Sequence, residues 1–263
     1  MKAKKHLGQH FLTSKKALAD IIREGKLTVD DIVLEIGPGK GILTEALLVE
    51  AGKVVVVEKD TDLIPYLGEK FAKEIKSKKL EIIQADILDL TAHSLQLKDY
   101  KLIANIPYYI TGAIIRKFLS GQNQPEKMVL LVQREVAERI VAKDGKESLL
   151  SLSVKVFGEP RIVSRVPRGA FSPPPTVDSA IITIETRKNE GYLRNAGDER
   201  HFFEVLHAGF AHPRKMLLGN LSKHYTNDLK ALFESLEISP KVRSEDVPLH
   251  TWLLLAHALR QKI

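Results

Sequence analysis

The feature that most constrains this chain is the alternation of short, nearly continuous apolar runs with stretches whose apolar residues recur at helical spacing. The runs cover residues 32–36, 54–58, 80–84, 101–104 and 128–133, and the helical patterns between them cover 41–51, 62–75 and 111–119. Strands that lack polar–apolar alternation are buried on both faces, as parallel strands are when helices cover both sides of their sheet. The rhythm therefore predicts a doubly wound α/β sheet. A further strand at 180–185 follows the proline-rich stretch 172–175. Past about Thr186 the character changes. The polar segment 187–200, with Asn189, Gly191, Asn195 and Gly197, reads as a linker, and helices are expected at 201–210, 227–237 and 248–260. Pro248 fits a first helical turn, where its missing N–H costs nothing. Two domains are expected, 1–186 and a small, all-helical 187–263.

Composition narrows the chemistry. The 263 residues, 44% hydrophobic and 28% charged, suffice for one substantial core and a smaller unit. No apolar run reaches the roughly 18 residues of a membrane span, and Met1-Lys2-Ala3-Lys4-Lys5 opens the chain with no apolar segment behind it. The expectation is a cytoplasmic monomer with no membrane partner. Cysteine is absent, which removes disulfides, thiolate metal sites and a thiol nucleophile, and no metal site is expected. A net charge of +7 suits a polyanionic partner. Lys2, Lys4, Lys5, Lys15, Lys16, Arg23 and Lys26 face only Asp20 and Glu24 in the first 26 residues. Lys155, Arg161, Arg165 and Arg168 form a second stretch with Glu159 as its acid. Brought together, the two clusters could make one phosphate-facing surface; apart, they are two solvated faces.

Three carboxyl ends of strands carry candidate ligand groups. Val33-Leu34-Glu35-Ile36-Gly37-Pro38-Gly39-Lys40-Gly41 is a buried strand entering a glycine-rich turn that opens a helix, where backbone can approach a ligand closely. A dinucleotide fingerprint needs a third glycine at 42, which is Ile42, so the spacing favours S-adenosylmethionine over NAD. Glu58 ends the second strand, where an acid can take both ribose hydroxyls, and Asp86 follows the third, where one can accept from an adenine amino group. Taken singly, these are also a surface carboxylate and a helix N-cap. Together they fall where ligands of open α/β sheets bind.

Asn105-Ile106-Pro107-Tyr108-Tyr109 follows the fourth strand. An adenine amine is a poor nucleophile because its lone pair is delocalised into the ring. The Asn105 side-chain oxygen and the Ile106 carbonyl can accept its two hydrogens on a turn stiffened by Pro107, favouring the pyramidal amine. Tyr108 offers a face for stacking, whereas Tyr109 is read as packing. In Phe171-Ser172-Pro173-Pro174-Pro175-Thr176-Val177-Asp178-Ser179, Phe171 on a proline-stiffened loop is either a clamp for the opposite base face or a core residue before a bend. His10, beside Phe11 and Leu12, has no local signal of function.

In order and spacing, Gly8-Gln9-His10-Phe11-Leu12, the G-P-G-K-G turn, Glu58, Asp86, N-I-P-Y and F-S-P-P-P-T-V-D-S resemble the ribosomal RNA adenine dimethyltransferase family over about 180 residues. The resemblance implies a Rossmann-like class I methyltransferase sheet with a small C-terminal helical domain for RNA recognition. It implies S-adenosylmethionine contacts at His10, Leu12, Gly37, Glu58, Asp86 and Asn105, and a catalytic group of Asn105 with Tyr108 and Phe171 on the target base. The segments 243–249, leading into 252–259, and 209–217 look like the small-subunit members. These imply dimethylation of two adjacent adenines near the 3′ end of 16S rRNA in a 30S particle, coupled to ribosome biogenesis. His212-Pro213 before a single Arg214 departs from the family, which commonly has two arginines before the lysine. The alternatives are a macrolide-resistance-type 23S rRNA methyltransferase, which shares these motifs, and an RNA-binding assembly or transcription factor on the same fold.

Overall fold

The computed structural model describes residues 4, 7–91, 94–120, 123–187, 192, 193, 195–225 and 228–260. Lys2 and Lys5 of the first basic cluster, Asn189 and Gly191 of the expected linker, and Asn227 lie outside them. The chain forms two units, Met1–Ala137 with Gly158–Lys188, and Glu138–Phe157 with Asn189–Ile263. The expected boundary near 186 is thus close to one crossing. The inclusion of 138–157 in the helical unit is a difference, because its charged surface pattern resembles any helix flanking the sheet.

The first unit contains β1 (Phe11–Leu12), α1 (Lys15–Gly25), β2 (Ile32–Ile36), α2 (Ile42–Glu50), β3 (Lys53–Glu58), α3 (Leu63–Lys70), α4 (Ala72–Lys76), β4 (Leu80–Gln84), β5 (Tyr100–Asn105), α5 (Thr111–Leu119) and β6 (Lys127–Gln133). The chain enters the second unit within α6 (Arg134–Val141), forms α7 (Leu149–Lys155), and returns as β7 (Gly158–Val166), β8 (Phe171–Ser172) and β9 (Ser179–Thr186). Among the described residues a seven-stranded sheet runs β4-β3-β2-β5-β6-β9-β7. The first five strands are parallel, while β9 is antiparallel to both β6 and β7. Val54–Val57 of β3 and Met128–Val132 of β6 are almost fully buried, as two-sided coverage requires.

Helix α1 starts at Ser14, whose side chain accepts the Ala17 N–H, and ends at Lys26 in the left-handed region. Its buried Ala17 and Ile21 join the core with Val33, Ile103, Val129 and Ile181. The expected continuous helix over 62–75 breaks at Phe71, whose backbone (φ −113°, ψ 28°) leaves helical geometry while its ring enters the core. Strands β1 and β8 pair antiparallel, Leu12 opposite Phe171, and so tie the N-terminal segment to the proline-rich loop.

The second unit adds α8 (Ala196–Phe210), α9 (Leu217–Leu221), α10 (Leu229–Ser235) and α11 (Leu249–Arg260). Asn195 caps α8 by accepting the Gly197 and Asp198 N–H groups, so the last third of the expected linker is already helix. Trp252 of α11, fully buried, stacks on Phe210 at 5.4 Å between ring centres, and Phe202, Val205 and Leu217 of the same unit are buried as well. Among the described residues, no helix is long and apolar enough to cross a membrane.

Candidate active site

The strand order reverses between β2 and β5, and a crevice opens there at the carboxyl ends of the strands, the usual ligand position in such sheets. The cleft measures about 340 Å³ and is lined by the N-terminal segment 7–12, the turn after β2, the ends of β3 and β4, and residues 105–110. The turn depends on its glycines. Gly39 and Gly41 adopt φ of +55° and +73°, and a Cβ would come within 2.9 Å of the Phe11 ring at Gly39 and 2.6 Å of the Phe71 ring at Gly41. Side chains there would be strained and would displace the Phe11 ring of the cleft wall and the Phe71 ring of the core.

Three acids line this cleft. Glu58, 6% exposed, accepts the Asp60 N–H at 2.8 Å and the Gly39 N–H at 3.3 Å, one on each oxygen. Burial pushes its carboxyl above the usual range against these bonds. Asp86 accepts the Leu88 N–H at 2.9 Å and faces the Lys59 ammonium at 2.7 Å, which holds its carboxyl low. Glu35, fully enclosed between β2 and α2, accepts from Thr44 Oγ1 at 2.7 Å. Burial pushes it up to about 8, and the Glu58 charge adds to the rise. Acids beside a glycine turn suit a ligand with cationic centres, hydroxyls and an amino-bearing base. A pyrophosphate would meet repulsion.

The N-terminal segment roofs the cleft. Lys4 pairs with Asp60 at 2.5 Å and Asp62 at 2.7 Å, and Gln9 donates to Asp60 at 2.7 Å. Burial opposes the Asp60 charge, but the bonds from Lys4 and Gln9 outweigh it and keep the carboxyl ionised. The His10 ring Nδ1 lies 2.8 Å from the Pro173 carbonyl. Asn105 Nδ2 donates to the His10 carbonyl at 3.1 Å, so the amide is oriented and its Oδ1 remains as the acceptor. Tyr108 stacks on His10 with 6.0 Å between ring centres, and its hydroxyl meets Ser179 Oγ at 2.6 Å.

His10, Leu12, Gly37, Glu58, Asp86, Asn105 and Tyr108 all line the one cleft. Two readings need correction. Phe171 is 4% exposed and belongs to the core with Leu12, Val166 and Ala170, because pairing of β8 with β1 turns its ring inward; it is absent from the cleft wall. Tyr109 is 63% exposed rather than packing, and its ring covers Gly8 at the cleft. The basic clusters also change meaning. Arg161 pairs with Glu24 at 2.6 Å, Lys16 and Arg23 pair with Asp20, and Lys155 pairs with Glu147, so much of their charge is neutralised locally. Glu35 and Ser179 were missed as site residues. A lone acid inside an apolar parallel strand was the available signal for Glu35, whereas the reach of Ser179 to Tyr108 has none in sequence.

The model of the family described as "Ribosomal RNA adenine dimethylase" matches residues 1–261. A "Ribosomal RNA small subunit methyltransferase A" from Dehalococcoides mccartyi is 43% identical over 260 residues, covering 96% of this chain and 87% of that protein. A crystal structure of a dimethyladenosine transferase from Plasmodium falciparum is 28% identical with a TM-score of 0.82, covering 96% of this chain and 98% of that one. The 23S rRNA methyltransferase ErmE is 27% identical with a TM-score of 0.78, covering 95% and 100%.

Proposed function

Because the chain belongs to the ribosomal RNA adenine dimethylase family, we propose that it uses S-adenosylmethionine to dimethylate the exocyclic amines of two adjacent adenines near the 3′ end of 16S rRNA, within a 30S particle and as part of ribosome biogenesis. The small-subunit assignment rests on the 43% identity to a small-subunit methyltransferase, against 27% to the 23S enzyme. Such a substrate implies work in the cytoplasm, and the helical unit is assigned to RNA recognition. A monomer suffices, since one chain supplies the whole cleft.

S-adenosylmethionine supplies an electrophilic methyl group on sulfur. Glu58 would hold its ribose hydroxyls and Asp86 its adenine amine, with Lys59 giving up part of its hold on that carboxylate. Gly37, His10, Leu12 and Asn105 would line the remainder. The observation that carries the reading is the bond from Asn105 Nδ2 to the His10 carbonyl. With the amide so fixed, Oδ1 and the Ile106 carbonyl accept the hydrogens of the target amine and draw its nitrogen towards the tetrahedral geometry of methyl transfer. Tyr108, anchored on Ser179, provides the stacking face. Phe171 supports the loop from the core instead of clamping the base. The amine held by Asn105 and Ile106 would take the methyl group from the cofactor's sulfur, and its surplus proton would pass to solvent, so no general base is required of the chain. Orientation and electrostatics supply the rate.

Single-turnover methylation at saturating cofactor and subunit isolates the chemical step. Asn105→Ala should slow it by about 100- to 1,000-fold, the range for loss of one transition-state hydrogen bond, with RNA affinity nearly unchanged. A rate within about threefold of wild type would remove Asn105 from this role and favour the assembly-factor reading.

A further inference from the structure

Just past Glu58, at the end of β3, stands a second buried acid to which methyl transfer as derived above gives no role. Asp60 is 4% exposed. Its Oδ1 accepts from Lys4 Nζ at 2.5 Å and from the Asp62 N–H at 3.1 Å, while its Oδ2 accepts from Gln9 Nε2 at 2.7 Å. Gln9 is used at both ends, because its Oε1 accepts the Lys4 N–H at 2.8 Å. An amide that donates to a carboxylate on one side and accepts from backbone on the other has one orientation, and the charged acceptor makes that orientation costly to leave.

Gln9 is followed directly by His10, whose carbonyl accepts from Asn105 Nδ2 at 3.1 Å. The direction of that carbonyl is set by the His10 backbone torsions, so it is fixed only if the chain is held on both sides of the residue. On the C-terminal side, pairing of β1 with β8 holds Phe11. On the N-terminal side, among the described residues, the hydrogen bonds to the rest of the unit come from Lys4 and Gln9, and both reach Asp60. Asp60 thus begins a line of contacts that passes through Gln9 and the His10 carbonyl and ends on the Asn105 amide.

We propose that Asp60 is a positioning residue for methyl transfer: by holding Gln9 it fixes the His10 carbonyl, and thereby aims the Asn105 amide at the target amine. Asp60 touches neither substrate nor cofactor and exchanges no proton with them. An acceptor that is present but misaimed loses its effect in the transition state, where alignment counts, more than in binding. This rests on Asn105 acting on an adenine amine, and adds the side chain that orients it.

Gln9→Ala interrupts the line at a half-buried position and leaves Asp60 its Lys4 partner, so the variant should fold; Asp60→Asn weakens the same line from its other end. Nitrogen-15 relaxation of the Asn105 side-chain amide in the free protein should show an ordered group in wild type and a mobile one in both variants. Single-turnover methylation with saturating cofactor and subunit should slow about tenfold in Gln9→Ala, the equivalent of one hydrogen bond of ordinary to charged strength, with RNA affinity unchanged. In an Asn105→Ala background the same substitution should cost less than about twofold, because there is no longer an amide to aim. A structural role alone would give the same loss in both backgrounds. Equal losses in the two backgrounds, a wild-type rate for Gln9→Ala, or an Asn105 amide as ordered in the variants as in wild type overturns the proposal. If the variants release the amide while wild type methylates no adenine in either subunit, the substrate reading fails and the line from Asp60 to Asn105 stands.

Discussion

Glu35 is the residue whose chemistry departs furthest from its ordinary state. Its carboxyl is pushed from 4.5 to about 8 by enclosure between β2 and α2, with Thr44 as hydrogen-bond donor. The folded chain therefore keeps a proton that the unfolded chain releases. Its contribution is fully present below the unfolded value and is lost as pH rises through about 8, at up to about 1.4 kcal/mol per pH unit. The Glu58 carboxyl, raised in the same direction, adds to the slope. Denaturant unfolding across this window should show Glu35→Gln with a shallower loss and with higher stability than wild type near pH 8. Equal slopes would mean that Glu35 is ionised in the folded protein. Glu58→Ala should weaken S-adenosylmethionine binding at least about tenfold, since charge-assisted bonds are worth roughly 1.5–3 kcal/mol. Calorimetry returning wild-type affinity would remove Glu58 from the ribose position. The placement of Glu58, Asp86 and Asn105 was legible in sequence because strand ends in this topology must converge. Glu35 was not, because its role depends on being sealed off by α2.

The elements explain which parts of the site could be foreseen. Strands β2 to β6 were readable to within a residue, since burial on both faces leaves an unbroken apolar run. Strand β7 was not. It pairs with β9 on the sheet edge, shifts register between Ile162 and Ser164, and carries Glu159, Arg161 and Arg165, so its pattern resembled a solvated basic stretch. Strands β1 and β8, two residues each, are too short to carry a period, and only their pairing decides that Phe171 faces the core. The same pairing and the start of β9 connect the two substrate motifs. Ser179→Ala, which frees the Tyr108 hydroxyl, should slow single-turnover methylation about two- to tenfold, the equivalent of about 0.5–1.5 kcal/mol for one hydrogen bond. Cofactor affinity should not change. An unaltered rate would show that stacking alone positions Tyr108.

At the scale of the molecule, one unit carries the cleft and the other carries the basic turns around His212 and Lys223. Sequence composition announced a polyanionic partner correctly in kind, but it overstated the two stretches it singled out, because Arg161 and Glu24 neutralise each other where those stretches meet. Net charge counts residues and not partners, so ion pairs formed by folding are invisible to it. The activity proposed for the chain is methyl transfer to adenines of small-subunit RNA. It is tested most directly by incubating the protein with labelled S-adenosylmethionine and, separately, unmethylated 30S and 50S subunits, then mapping the modified bases. The expected result is dimethyladenine at two adjacent positions near the 3′ end of 16S rRNA and unlabelled 50S subunits; label in 23S rRNA, or in neither RNA, would contradict the proposed activity.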